Sequence, residues 1–398
     1  MAGFAGRPWH HDGVTSDSPD PRAGQRPDAP IVAILGGGQL GRMLGLAAVP
    51  LGVACRFLDP VAGAPAAAVG PLVVGALDDP NALADTAEGA AVVTYEWEGV
   101  PAAGARALAE RVLVRPGWEA LDVAQDRAAE KALFARLGIP APTSVVVADR
   151  ADLDAALVRT GTPAVLKTCR GGYDGKGQAL IHAPGEAASA FSALGGDDGV
   201  ALILEAWVPF DRELSVIAAR GLDGDVRCFP LVENTHRDGI LRVTRAPAPQ
   251  VDDTLQAAGE AIARQILEAF AYVGVLTVEL FQVGRDLLAN EIAPRVHNSG
   301  HWTIEGAETS QFEQHLRAVL GMPLGSPAAR GHAVMLNAIG SLPDPAAVLA
   351  VPGARLHDYG KEARPGRKVG HVTVVADTAS ALEERFALLL AIASGTLG

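Results

Sequence analysis

VLKTCRGGYDGKGQALI, residues 165–181, sets four glycines (Gly171, Gly172, Gly175, Gly177) between two apolar segments. Lys167 closes the first segment, and the second, QALI, reads as a strand. A phosphate-binding P-loop needs the spacing G-x-x-x-x-G-K-[ST] and a helix directly after it, so this stretch fails on both counts. A glycine loop between two strands can instead fold over nucleotide phosphates as a lid. Its backbone N–H groups, with Lys167 and Lys176, would then neutralise charge. An ordinary glycine-rich hairpin is the alternative, and the flanking lysines and Asp174 weigh against it.

Upstream, QDRAAEKALFARLGIPAP carries helix punctuation. Asp126 is a cap, Ala129, Leu133 and Leu137 form an apolar stripe, and Gly138 before Pro140 is a stop. Still earlier, PIVAIL, VACRFLD and VVTYEWE alternate with helical patterns, which argues for a parallel sheet. Downstream, residues 143–320 read as mixed strands and helices, several joined by hairpin-like turns. GMPLGSP reads as a second linker. The chain therefore divides at 30–125, 126–325 and 326–398. Residues 1–29, rich in Pro, Asp, Ser, Gly and Arg, read as a disordered extension.

The first of these segments opens with ILGGGQLGRM, in which Gly36, Gly38 and Gly41 satisfy G-x-G-x-x-G, and Asp59 stands near the position of a ribose-binding acid. Such a loop can serve a dinucleotide, hold an anion at a helix N-terminus, or simply make a tight turn. This segment alone does not choose among them.

VLTVELFQVGRDLLANEIAPR reads as two strands around a turn at Gly284–Arg285. The register that sets Phe281 opposite Ala289 also sets Glu279 opposite Glu291. Facing carboxylates repel unless a cation or proton is shared. Mg²⁺ on nucleotide phosphates takes one or two carboxylates, which makes Glu279 and Glu291 candidate metal ligands, with Asn290 beside them. PRVHNSGH follows and gathers Arg295, His297, Asn298 and His301 as a candidate anion pocket. A last basic cluster, Lys361, Arg364, Arg367 and Lys368, is either a solvated face or a phosphate grip.

The chain has 398 residues and a formal net charge of −13. That charge argues against nucleic acid or an anionic membrane as partner. No apolar run is long enough to span a bilayer. Cys55, Cys169 and Cys228 lack paired spacing, which fits a reducing, cytoplasmic setting without a zinc site.

Taken in order, GGGQLGRM, TYEWE, DRxxEK, KxxxGGYDGKGQ, EAWVPFDREL, ELF…NEIAPRxHNSGH and GKxxRPGRKxGH resemble the ATP-grasp enzymes. Within them the chain looks like the 5-(carboxyamino)imidazole ribonucleotide synthase family of purine biosynthesis, from about residue 31 to 385. The family usually has Pro where this chain has Val296. The resemblance implies an α/β and α+β fold: a Rossmann-like N-terminal domain (30–125), an ATP-grasp domain (126–325) and a small C-terminal domain (326–398). It implies a cytoplasmic homodimer that carboxylates 5-aminoimidazole ribonucleotide with ATP and bicarbonate, using Mg²⁺ or Mn²⁺. The implied ATP contacts are Arg127, Lys167, the loop Gly172, Tyr173, Asp174, Gly175, Lys176, Gly177 and Gln178, the adenine hinge Glu205, Ala206, Trp207 and Val208, Glu213 for the ribose, and His236, Asn290 and Glu291. The implied metal ligands are Glu279 and Glu291. The ribonucleotide falls to Gln39, Leu40, Glu96, Asn298, Lys361, Arg367 and Lys368. Tyr173, Asp174, Lys176, Arg295 and His297 would line the reacting centre. The nearest rival is a formate-dependent glycinamide ribonucleotide transformylase. A biotin carboxylase, an NAD(P)-dependent oxidoreductase and a non-catalytic nucleotide module follow.

Overall fold

Val32–Leu35 of the first strand, β1 (Ile31–Leu35), are all buried, as an apolar run at the centre of a parallel sheet must be. The computed structural model describes residues 28–172 and 176–392. The expected disordered extension therefore lies, but for its last two residues, outside the described residues. So do Tyr173, Asp174 and Gly175.

The N-terminal domain runs β1, α1 (Gln39–Ala48), β2 (Ala54–Asp59), β3 (Leu72–Val74), α2 (Pro80–Ala87), β4 (Val92–Tyr95), α3 (Ala102–Ala109) and α4 (Trp118–Ala124). Its four strands lie parallel in the order β3-β2-β1-β4. This is the expected parallel sheet, with the glycine loop at the carboxyl end of β1.

Helix α5 (Arg127–Leu137) opens the central domain. Asp126 caps it by accepting the N–H groups of Ala128 and Ala129, and Gly138 ends it with φ +68°. Its buried face is not the expected Ala129–Leu133–Leu137 stripe. Glu130 and Lys131 are buried beside Leu133 and Phe134, while Ala129 and Leu137 stay partly exposed. The helix carries charge inward, which apolar periodicity cannot register.

Then follow β5 (Ser144–Val147), α6 (Arg150–Thr160), β6 (Ala164–Thr168), β7 (Gln178–Ile181), α7 (Ala187–Ala193) and β8 (Leu202–Ala206). They form an antiparallel sheet in the order β5-β8-β6-β7. The glycine loop joins β6 to β7, with Lys167 opposite Gln178, so a strand does follow the loop.

A nine-stranded sheet comes next. It contains β9 (Arg212–Arg220), β10 (Val226–Cys228), β11 (Val232–Arg237), β12 (Ile240–Ala246), β13 (Gly274–Val283) and β14 (Asp286–Ala293), with α8 (Asp253–Ala269) between β12 and β13. After α9 (Thr303–Gly306) and α10 (Gln311–Leu320) the same sheet takes in β15 (His332–Ile339), β16 (Ala354–Asp358) and β17 (Lys368–Ala376). Helix α11 (Pro345–Leu349) precedes β16, and α12 (Ala379–Ile392) closes the described chain. The order is β14-β13-β9-β11-β12-β15-β17-β16, with β10 paired to β9. The C-terminal strands thus extend the central sheet, yet they bury Val334, Leu336, Val372 and Val374 in a core of their own with Leu382, Phe386 and Leu389 of α12.

Strand β9 is buried on both faces, and its alternation assigns each side. Leu214, Val216 and Ala218 join Ile262 and Ile266 of α8, while Ile217 and Ala219 join Phe312 and Leu316 of α10. Leu40, Met43 and Leu44 of α1 enter that second core, so α10 docks the N-terminal domain onto the central sheet. His315 pins the contact. Its Nδ1 accepts the Val275 N–H at 3.1 Å, which leaves Nε2 as donor to the Thr94 hydroxyl at 2.8 Å. Burial holds this imidazole down at about 4, neutral at physiological pH.

Candidate active site

The opening loop is tied by two carboxylates. The Gly37 N–H donates to Asp59 Oδ2 at 2.9 Å, and the Gly38 N–H to Glu96 Oε1 at 2.8 Å. A Cβ on Gly36 (φ +104°) would sit 2.7 Å from the Glu96 side chain, so only glycine fits there. Asp59 is spent on its own loop, also accepting the Val61 N–H at 2.9 Å, which removes the ribose acid a dinucleotide site needs. Glu96 is buried at the N-terminus of α1. Burial raises its carboxyl above the usual range, against the Gly38 N–H and the positive charges of Arg295 and Lys361.

Those charges show what converges here. Lys361 donates to Gln39 Oε1 at 2.5 Å, and its ammonium lies 5.9 Å from the Tyr359 ring. Burial, then the neighbouring Arg367, holds the Lys361 amine below its ordinary value, with Lys368 adding to the effect. Gln39, Glu96, Lys361, Arg367 and Lys368 therefore share one neighbourhood. The Leu40 side chain is in the core and leaves only its backbone for a ligand. Asn298 is paired amide to amide with Asn337, at 2.8 and 3.1 Å.

Among the expected nucleotide contacts, Lys167 reaches Glu205 Oε2 at 2.8 Å, and Lys131 stands 3.7 Å from Glu205 Oε1. Burial would raise the Glu205 carboxyl, but Lys131 and Lys167 together hold it below its ordinary value. Along the expected hinge, the Ala206 and Trp207 N–H groups bond the carbonyls of Thr143 and Pro163. Arg127 grips the root of the glycine loop through the carbonyls of Thr168 (2.8 Å) and Gly172 (3.2 Å). A Cβ on Gly172 would lie 2.8 Å from the Lys176 carbonyl oxygen and 2.9 Å from the Arg127 guanidinium. His236 Nδ1 meets Glu213 Oε2 at 2.7 Å.

Between the two sides stands the acid pair. Strands β13 and β14 do place Glu279 opposite Glu291. The expected partner of Phe281 is wrong, however: Phe281 faces Leu288, and Ala289 faces Leu280. The two-residue turn at Gly284–Arg285 dictates that register, and a bulge at Asn290 restores the glutamate pair. Burial and the facing Glu291 carboxylate push Glu279 up to about 7. His297 Nε2 is 3.3 Å from Glu279 Oε1. Its Nδ1 accepts the Ser299 N–H at 3.3 Å and meets the Ser299 hydroxyl at 2.8 Å, which places the ring proton on Nε2. Burial, then Arg295, keeps this imidazole neutral, well below its ordinary value. Two carboxylates forced together where a neutral imidazole is the nearest ring make a donor set that suits a hard divalent cation. Among the described residues no group of three or more His, Cys, Asp or Glu is placed to hold a metal ion.

Several participants escaped the sequence reading. Glu98 forms the ion pair of Arg295. Glu130 and Lys131 back the Glu291 strand, with Glu130 Oε1 accepting the Ile292 N–H at 2.6 Å and Lys131 donating to the Asn290 carbonyl at 2.5 Å. Burial, opposed by Lys131, pushes the Glu130 carboxyl up to about 8. His371 bonds the Tyr359 hydroxyl at 2.8 Å. The signal was present in the charged letters of TYEWE, DRxxEK and GKxxRPGRKxGH, which carry no periodicity.

Comparison with known proteins agrees with this geometry. Residues 30–125 match the ribonucleotide synthetase preATP-grasp domain, 132–312 the ATP-grasp domain, and 333–385 the phosphoribosylaminoimidazole carboxylase C-terminal domain. The chain is 49% identical over 356 residues to the N5-carboxyaminoimidazole ribonucleotide synthase of Pseudomonas aeruginosa, covering 89% of this chain and 97% of that protein. The synthetase structure from Thermus thermophilus superposes with a TM-score of 0.87 at 56% identity, over 91% of this chain and 98% of that one. The Aspergillus clavatus synthase, solved with ADP and 5-aminoimidazole ribonucleotide, gives 0.84 at 33% identity, over 92% and 98%.

Proposed function

The chain belongs to the N5-carboxyaminoimidazole ribonucleotide synthases, and from that membership we propose how its own residues carry out the ATP-dependent carboxylation of 5-aminoimidazole ribonucleotide in purine biosynthesis. One observation carries the assignment of roles. The Glu279–Glu291 pair, with His297, is tied to both sides: Lys131 bonds the Asn290 carbonyl and reaches Glu205, and Arg295 interacts with both Glu291 and the Glu96 that ties the opening loop.

ATP lies between the two antiparallel sheets. Its adenine faces Glu205–Val208 and its ribose Glu213. With Ala206 and Trp207 committed to the protein, Val208 is the hinge donor. Lys167, His236, Asn290 and the loop Gly172–Gln178 hold the phosphates, and Arg127 anchors the loop root. Mg²⁺, or Mn²⁺, held by Glu279 and Glu291 would neutralise the β- and γ-phosphates. A bicarbonate oxygen attacks the γ-phosphorus, the bond to ADP breaks, and carboxyphosphate forms. Arg295 neutralises that anion, and closure of the glycine loop, with Tyr173, Asp174 and Lys176, keeps water away. The exocyclic amine then attacks the carboxyl carbon, phosphate leaves, and the amine gives up a proton. His297 already carries its proton on Nε2 and donates toward Glu279, so it orients charge rather than taking that proton. The departing phosphate or Asp174 takes it.

The ribonucleotide is held at Gln39, the Leu40 backbone and Glu96, with its phosphate on Lys361, Arg367 and Lys368. Asn298, locked to Asn337, shapes the wall between the two substrates. The GxGxxG loop thus keeps a Rossmann-like turn but serves a mononucleotide substrate. The enzyme works in a reducing cytoplasm, in keeping with its three unpaired cysteines, and as a homodimer, as the family resemblance implies. The deciding test is ADP release from Mg-ATP and bicarbonate. Stimulation by 5-aminoimidazole ribonucleotide supports this reading. Stimulation only by formate with glycinamide ribonucleotide transfers the chain to the rival ligase.

A further inference from the structure

Strand β14 is the edge of the nine-stranded sheet. An edge strand leaves the N–H and C=O of every second residue without a ladder partner, and a buried one costs free energy unless something else bonds it. On either side of Glu291 the open groups are the Asn290 carbonyl and the Ile292 N–H. They point the same way, as the flanking groups of one strand residue do. Both are met from a single helix turn: Lys131 donates to the Asn290 carbonyl at 2.5 Å, and Glu130 accepts the Ile292 N–H at 2.6 Å. Both side chains are over nine-tenths buried. One residue further out, the Ala289 N–H donates to the Pro140 carbonyl at 2.7 Å, just past the end of the same helix.

We propose that Glu130 and Lys131 act together as a substitute strand that fixes the backbone on both flanks of Glu291 and so aims its carboxylate at the metal. The need for such a device follows from the bulge. A bulge frees one residue from the ladder and bends its strand, so the residue beside it loses the alignment that regular pairing supplies. Glu291 is that residue. Helix α5 restores the alignment from the open side with one acceptor and one donor, the two functions a neighbouring strand would have offered. Lys131 also reaches toward Glu205, so the clamp ties the metal-bearing strand to the adenine hinge on the other sheet. Glu130 and Lys131 are positioning residues: they touch the strand, not the substrates.

The inference rests on the assignment of Glu291 as a metal ligand, and the test separates the two. Mn²⁺ binding is titrated by electron paramagnetic resonance on the full chain with ADP present, and ADP binding is measured without metal. Glu130→Ala is expected to weaken Mn²⁺ binding about tenfold, the scale for outer-shell partners of a metal ligand. Glu130→Gln, whose amide oxygen still accepts the Ile292 N–H, is expected to stay within about twofold of wild type. Lys131→Met is expected to weaken Mn²⁺ and metal-free ADP together, because it also strips Glu205 of a cation. Wild-type Mn²⁺ affinity in Glu130→Ala, alongside lost affinity in Glu291→Gln, overturns the clamp alone. Wild-type affinity in Glu291→Gln overturns the ligand assignment and the clamp with it. Should Glu130→Ala fail to fold, Lys131→Met carries the test from the other flank, and unchanged Mn²⁺ affinity there overturns the clamp.

Discussion

Glu279 and Glu291 face each other across β13 and β14 only because Asn290 is bulged out of the ladder. The tight turn pairs Leu280 with Ala289, and a regular continuation would set Glu279 opposite Asn290. One extra residue exchanges that amide for a second carboxylate and creates a facing acid pair at the sheet edge. Bulges next to active sites re-aim side chains in this way.

Replacing either member with Gln removes half of the charge that would hold the metal. Glu279→Gln and Glu291→Gln are each expected to lower ATP turnover by at least about 100-fold, the loss typical when charge stabilisation of a transition state is removed. Overall folding should survive, because a like-charged buried pair opposes folding when no cation is present. Ribonucleotide-stimulated ADP release measures the first effect and thermal melting the second. Near-normal turnover in Glu279→Gln would mean the metal lies elsewhere.

Lys361 is held by Gln39 and stands over a Tyr359 ring that His371 fixes through its hydroxyl. Lys361→Ala is expected to raise the KM for the ribonucleotide by roughly 10- to 100-fold, the worth of a charge-assisted hydrogen bond, while the KM for ATP stays put. Tyr359→Phe keeps the ring but frees it from His371, so it should move the same KM in the same direction by less. An equal rise in both KM values would place Lys361 on the nucleotide instead.

How far the letters went depends on what carries a signal. Elements with a period or a cap were legible. The apolar run of β1, the strand after the glycine loop and the Asp126 cap appear where the sequence puts them. The glutamate pair was legible through an error, since the register that suggested it holds only beyond the bulge. The charged face of α5 was not legible. Glu130 and Lys131 sit among apolar neighbours at helical spacing, and nothing local tells that they turn inward to meet a strand about 160 residues away. Nor was the sharing of one sheet between the central and C-terminal parts. The β12–β15 pairing spans most of a domain, and strand patterns do not encode partners at that distance.

Arg295 is nearly buried, and Glu98 and the Val296 carbonyl hold its guanidinium. With the Glu98 charge removed, the strongest remaining pull on Arg295 is that of Glu96, which itself secures the opening loop. Glu98→Gln is therefore expected to pull Arg295 toward Glu96 and to lower the rate with the ribonucleotide about tenfold, as misplacement of a positioned cation does. Steady-state turnover at saturating ATP and bicarbonate reads this directly. A variant with unchanged rate and lower melting temperature would show the pair to be structural only.

His236 tests the field of the acid cluster. Burial alone would lower its pKa, but the hydrogen bond to Glu213, with the charges of Glu279, Glu213 and Glu291, raises it above the ordinary histidine value. The folded protein thus binds this proton more tightly than the unfolded chain. The stabilisation is fully present below the unfolded value of about 6.5 and disappears as pH rises through the higher folded value. Comparing wild type with His236→Asn by denaturant unfolding, free of nucleotide and metal, should give a gap that is wide below about pH 6.5 and narrows as pH rises above it. Adding Mg²⁺ with ADP should narrow the gap at the lower pH, because a divalent cation shared by Glu279 and Glu291 takes over the charge that raised His236. A gap that widens toward alkaline pH would mean His236 serves as a neutral hydrogen-bond partner, and the acid cluster would then have to be compensated from another side.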